Sequence, residues 1–216
     1  MMDPGPAPLG LAATGFALGW NVAWVPGPIN AEILRRGTQR GFGAAFAVGA
    51  GATCSDFLWA TAVSLGAGAI AGAPGVRRGL AITSVVLLFG LAALFLRGAW
   101  RSLRAARAGG PPPSGSPAFE SRRGGFLLGF LTALTSPFNL AFWMGAIGPV
   151  TARGGGTGLS LLLGLSVVTG AISWCLVLSA GSRLGARLPG PATDAALRTI
   201  AAACLLWIAV RTALLL

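Results

Sequence analysis

The chain has 216 residues, of which 54% are hydrophobic and 10% charged, against ~25% charged in an ordinary soluble domain. Its net charge of +11 comes from arginine alone, without a single lysine. The arginines fall between long apolar stretches, which excludes a nucleic-acid-binding stripe and matches the positive-inside pattern of a membrane protein.

Residues 4–31, 79–96, 124–152 and 154–182 carry no charge, and 41–76 carry only Asp56. Each stretch reaches the ~18–20 residues that a helix needs to cross a hydrocarbon core. The alternation of a membrane β-strand is missing, so the backbone polar groups must be satisfied within helices. Charge and Pro/Gly punctuation predict six spans, at 8–34, 41–70, 79–97, 124–148, 157–181 and 195–216. The fold class expected is therefore an all-α integral membrane protein.

The first span begins Met1-Met2-Asp3-Pro4, without a basic leader, and reads as a retained span instead of a cleaved signal. Pro26-Gly27-Pro28 lies inside it and should break it, because proline lacks an amide hydrogen and clashes with the preceding turn. Asn30 follows just inside the restart, and Glu32 one turn after the break, where it could cap the helix or pair with Arg35 or Arg36. In the second span Asp56 lies near the middle, where a carboxylate costs ~2.5–3.5 kcal/mol on insertion scales. That cost points to a protonatable group or a counter-charge for a substrate amine. Gly41, Ala45 and Gly49, with Gly154, Gly158 and Gly164 later, suit close helix approach.

After the third span the composition shifts. Residues 98–123 hold a run of arginines and Gly109-Gly110-Pro111-Pro112-Pro113-Ser114-Gly115, and read as a cytoplasmic linker between two membrane repeats, 1–97 and 124–216. Pro137 should interrupt the fourth span, with Ser136 before it and Asn139 inside the restart. A broken membrane helix offers a positive dipole end to a carboxylate, so Pro26, Gly27, Pro28, Asn30, Ser136, Pro137 and Asn139 are the expected substrate-binding set and Asp56 the proton-coupling residue.

The two halves also resemble each other. Pro28-Ile29-Asn30 matches Pro137-Phe138-Asn139, and Trp59, Ser64 and Gly66 match Trp174, Ser179 and Gly181 at the same offsets. Three spans separate the halves, so the second should lie upside down in an inverted 3+3 repeat with broken first and fourth helices. Both termini are expected outside, since that orientation puts twelve arginines on the inner side and four on the outer.

Pro26-Gly27-Pro28-x-Asn30 followed by Arg35-Arg36-Gly37 and Arg40-Gly41, then Gly51 to Asp56 with Trp59, Trp100-Arg101-Ser102-Leu103, and Phe126 to Pro137 with Trp143 and Pro149, resemble the LysE/RhtB-type amino-acid exporters (LysE family translocators). The resemblance extends over nearly the whole chain, including Arg211. It implies a plasma-membrane secondary transporter and not an enzyme, exporting amino acids or related small solutes against protons, without a cofactor, in lipid and often as a homodimer. Two departures concern substrate choice: Ser136 stands where the family commonly has Asn, and Gly170, Ala171 and Ser173 where an acidic residue is frequent. Two other classes make different demands. A metal or inorganic-cation exporter needs converging carboxylates, His or thiolates, and this chain has no His. A thiol-disulfide protein needs two exchanging cysteines, whereas Cys54, Cys175 and Cys204 show no close pairing and read as small apolar residues.

Overall fold

Proline, serine and glycine set the helix boundaries. The computed structural model describes residues 8–25, 27–67, 74–109, 121–152, 155–182 and 191–214. The helices among them are α1 (Pro8–Trp24), α2 (Pro28–Arg40), α3 (Phe42–Ala62), α4 (Pro74–Arg107), α5 (Arg122–Thr135), α6 (Pro137–Ala152), α7 (Gly156–Gly181) and α8 (Pro191–Ala213), with no strand among the described residues. Pro28 and Pro137 open α2 and α6, where the missing N–H costs no intrahelical bond. Ser121 caps α5, its hydroxyl accepting the Gly124 N–H at 2.9 Å. Gly41, with φ 81°, turns the chain directly from α2 into α3.

Four helical segments are long and apolar enough to cross a membrane: Phe42–Gly66, Val85–Arg107, Gly156–Gly181 and Ala195–Ala213. The pair α5 and α6, bent by 64° at Ser136, makes a fifth. The remaining expected span, 8–34, falls on α1 and α2. Here α1 has only 17 residues, and α2 carries Glu32, Arg35, Arg36 and Arg40, so the second piece is too polar to count as apolar. Residues 98–107, expected within the linker, instead continue α4 for its last ten residues. Residues 110–120 of that linker lie outside the described residues, as do 68–70 of the second expected span.

The helices meet where side chains are small. A Cβ on Gly19 would strike the Val167 carbonyl, and one on Gly170 the Phe16 carbonyl, so α1 and α7 touch backbone to backbone. The same holds for Gly51 against Phe126 and Gly129 against Val48, between α3 and α5. Such contacts replace the hydrophobic drive that lipid does not provide. They also fix direction. Gly15 and Gly19 of α1 meet residues 163–167 of α7, and Phe16 to Trp20 surround Gly170, so the contact advances along both chains together and α1 runs parallel to α7. The α3–α5 contact, from Gly51 on Phe126 to Trp59 on Leu134, is also parallel. In contrast α3 runs antiparallel to α7, with Gly49 on Cys175 and Ala60 on Gly164. Of the six small residues named for close approach, Gly49 and Gly164 thus make close approaches, Gly41 and Gly158 have nothing within 4 Å, and Gly154 lies outside the described residues. Two apolar clusters fill the interior, one joining α2, α3, α4 and α8 around Ile33, Val48 and Leu205, the other around Trp143, Ile147 and Leu163.

Candidate functional site

At the first break α1 stops at Trp24, and Gly27 is extended (φ −157°) before Pro28 starts α2. Pro26 lies outside the described residues. The break leaves the last carbonyls of α1 without helical donors. Asn30 reaches back to them, its Nδ2 donating to Ala23 O at 2.8 Å and Val25 O at 2.9 Å.

The second break repeats this device. In an unbroken helix the Ala133 carbonyl would accept the amide of residue 137, and that residue is proline. Asn139 supplies the missing hydrogen instead, its Nδ2 donating to Ala133 O at 3.1 Å. The next carbonyl, Leu134 O, accepts from Trp59 Nε1 at 3.1 Å, a bond from α3 into the break. Ser136 accepts the Asn139 N–H on its carbonyl at 3.1 Å and on its hydroxyl at 3.4 Å, which caps α6. Both asparagines thus spend amide hydrogens on the backbone.

Asn139 goes further than its counterpart. Its Nδ2 also donates to Asp56 Oδ1 at 2.9 Å, joining the break to the carboxylate of α3. Trp143 Nε1, one turn on in α6, points at the same oxygen from 3.5 Å. Asp56 is half-buried and forms no ion pair among the described residues. A carboxylate inside a span and without a cation is a poised group: a proton or a cationic ligand would stabilise it. Ser136, Pro137, Asn139 and Asp56 are therefore one cluster. Gly27, Pro28 and Asn30 form a separate one, on the other broken pair.

Glu32 occupies neither. It is fully buried, with Arg35 donating from Nε and Nη2 to its two oxygens at 2.7 Å each and Arg36 from Nε at 2.6 Å. Arg36 Nη1 also donates to Ser121 O at 3.0 Å, tying α2 to the start of α5. Counting arginines placed Arg35 and Arg36 in a connection, yet both are buried inside the helix packing. The spacing of Glu32 to Arg35 and Arg36, three and four residues, carried that signal. Trp20 and Trp24 pack on Trp174 of α7, Trp24 stacked at 4.9 Å and Trp20 edge-on at 5.7 Å. The three cysteines are free thiols. Among the described residues no three His, Cys, Asp or Glu side chains gather as a metal site would require.

The chain therefore presents a multi-pass helical membrane protein with a lone carboxylate bonded to a helix break. Comparison with known families gives the class. The model described as "LysE type translocator" matches residues 21–215, and the chain belongs to that family of membrane exporters. It is 33% identical over 142 residues to the "Chemotactic transduction protein ChpE" of Pseudomonas aeruginosa, a match covering 66% of this chain and 64% of that protein. The "Putative amino acid efflux protein YcgF" of Bacillus subtilis is 27% identical over 174 residues, which cover 77% of this chain and 78% of that one. No solved structure matches.

Proposed function

We propose that this protein exports amino acids or related small solutes across a bacterial plasma membrane in exchange for protons, with Asp56 as the coupling carboxylate. The bond from Asn139 to Asp56 carries the reading. It makes one residue both the seal of the α5–α6 break and the partner of a carboxylate inside the membrane, so a change of charge at Asp56 acts directly on the break. Protonation removes the charge to which Asn139 donates and so weakens that bond, which loosens the turn that the substrate approaches. The amino-acid efflux name of the Bacillus subtilis relative supports the substrate class.

The helix directions support an inverted repeat. Since α1 is parallel to α7, α7 antiparallel to α3, and α3 parallel to α5, the first helices of the two halves run in opposite senses. The pairs correspond as well: α1 on α7 answers α5 on α3, α2 on α3 answers α6 on α7, and α4 packs on α8. On this reading α1–α2 serves as the sixth span, with halves 1–97 and 124–216 and both termini outside. Pro28 and Asn30 then face Pro137 and Asn139 as the two walls of one path.

The test is efflux from proteoliposomes loaded with an equimolar mixture of amino acids and analysed by mass spectrometry. The wild type should release a subset of them, and Asp56→Asn should release them at least about tenfold more slowly, the scale of a lost charge-assisted bond. Equal rates would remove Asp56 from the mechanism.

A further inference from the structure

Arg211 is the one charge in the last turns of α8, within the apolar segment Ala195–Ala213. It lies 13 residues, or ~20 Å of helix, beyond buried Arg198 at the other end of the segment. It makes no ion pair with a carboxylate among the described residues, and its guanidinium carbon lies over the ring of Trp207, 5.7 Å from the centroid. Its side chain is exposed near the end of that segment, so the guanidinium is accessible to a ligand.

Arg211 also lines an open cavity of about 270 Å³, together with Ser136, Phe138, Trp207 and Ile208. Ser136 is the hinge between α5 and α6, near the midpoint of the bent pair Arg122–Thr151. The cavity therefore runs from that hinge to the last turns of α8, where Trp207, Ile208 and Arg211 line it. Its walls are apolar in Phe138, Trp207 and Ile208 and polar in Ser136. Its charge is cationic, from a guanidinium whose planar fork suits a carboxylate. The first turn of α6, the positive end of a helix dipole, adds to the same sign. Two opposite charges are thus tied to the hinge region: Asp56 through its bond from Asn139, and Arg211 through the cavity it lines with Ser136.

We propose that this cavity holds the carboxylate of the exported solute, with Arg211 as its binding residue. The proposal rests on the transport reading above for its ligand, but it makes a claim about binding that stands without transport. It assigns the substrate class as monocarboxylates and excludes their amides.

The experiment reads binding directly. Purified protein in an uncharged maltoside is titrated with sodium propionate or propionamide, against sodium chloride at matched ionic strength, and thermal unfolding is followed. Propionate should raise the midpoint of the wild type and propionamide should not. R211Q should weaken the apparent propionate affinity by about tenfold or more. R211K keeps the charge but loses the fork and should weaken it less; it carries the comparison if the glutamine variant does not fold. A propionate response unchanged in both variants, or equal responses to acid and amide, would overturn the proposal. So would native mass spectrometry showing that Arg211 retains phosphatidylglycerol while propionate has no effect, since the residue would then be a headgroup anchor. Propionate binding that depends on Arg211, in a protein that exports no amino acid, would count against the transport reading alone.

Discussion

Replacing Asn139 by alanine tests the joint between break and carboxylate. Two hydrogen bonds disappear: one to Ala133 O at 3.1 Å, which exists because residue 137 is proline, and one to Asp56 Oδ1 at 2.9 Å. In water a bond to a charged group contributes about 1.5–3 kcal/mol and a neutral one about 1. Between membrane helices the measured average is nearer ~0.6, with a maximum of ~1.7, because the unfolded chain in lipid also finds partners. The membrane values apply here, and the Ala133 carbonyl keeps only the longer bond from the Ser136 N–H at 3.4 Å, so the expected loss is about 1.5 kcal/mol in all. Asn30→Ala, which removes two bonds to carbonyls and none to a charge, should cost about 1 kcal/mol. The assay is SDS-induced unfolding in mixed micelles, followed by circular dichroism, on the single variants, Asp56→Asn, and the Asp56→Asn/Asn139→Ala pair. The cycle should give a coupling energy of about 0.5–1.5 kcal/mol between positions 56 and 139. Additive effects, within ~0.3 kcal/mol, would show that the two side chains do not support each other and would refute the reasoning.

Four further substitutions address the frame around that joint. Gly51→Val and Gly129→Val push a branched side chain into the backbone of the facing helix and should each cost about 3 kcal/mol or prevent folding. Gly158→Val, where nothing lies within 4 Å, should stay within ~1 kcal/mol in the same SDS titration. Glu32→Gln leaves Arg35 and Arg36 without their shared carboxylate in a fully buried setting and should destabilise by about 3–5 kcal/mol, while leaving the propionate response at Arg211 intact in any folded fraction.

The sequence made the breaks legible because proline has one chemistry in every helix: Pro28 and Pro137 each sit at the first position of a new helix, as their missing amide requires. Asp56 was legible by isolation, being the only charge in 36 residues. What it touches was not. The partners Asn139 and Trp143 lie 83 and 87 residues away, and spacing along one chain says nothing about contacts between helices. The role of the asparagines shows the same limit. Proximity to a break did not reveal that Asn30 and Asn139 donate to the freed carbonyls, each of which would cost several kcal/mol unpaired in lipid, where no water relieves it. Arg35 and Arg36 misled for another reason. Counting arginines treats each as a loop residue facing water, whereas a carboxylate one turn away lets both be buried. The span count diverged at α1 and α2, where a short apolar piece and a polar one share the length of a single crossing.

The central claim is that Asp56 couples export to protons through the broken α5–α6 helix. Proteoliposomes containing the amino-acid mixture at equal concentration on both sides, with an acid jump outside, test it most directly. The account predicts that the wild type expels its substrates against their own gradient while an internal pH dye reports proton entry, and that Asp56→Asn does neither yet still exchanges labelled for unlabelled substrate. Uphill export that persists in Asp56→Asn, or a wild type whose substrate movement ignores the pH jump, would contradict it.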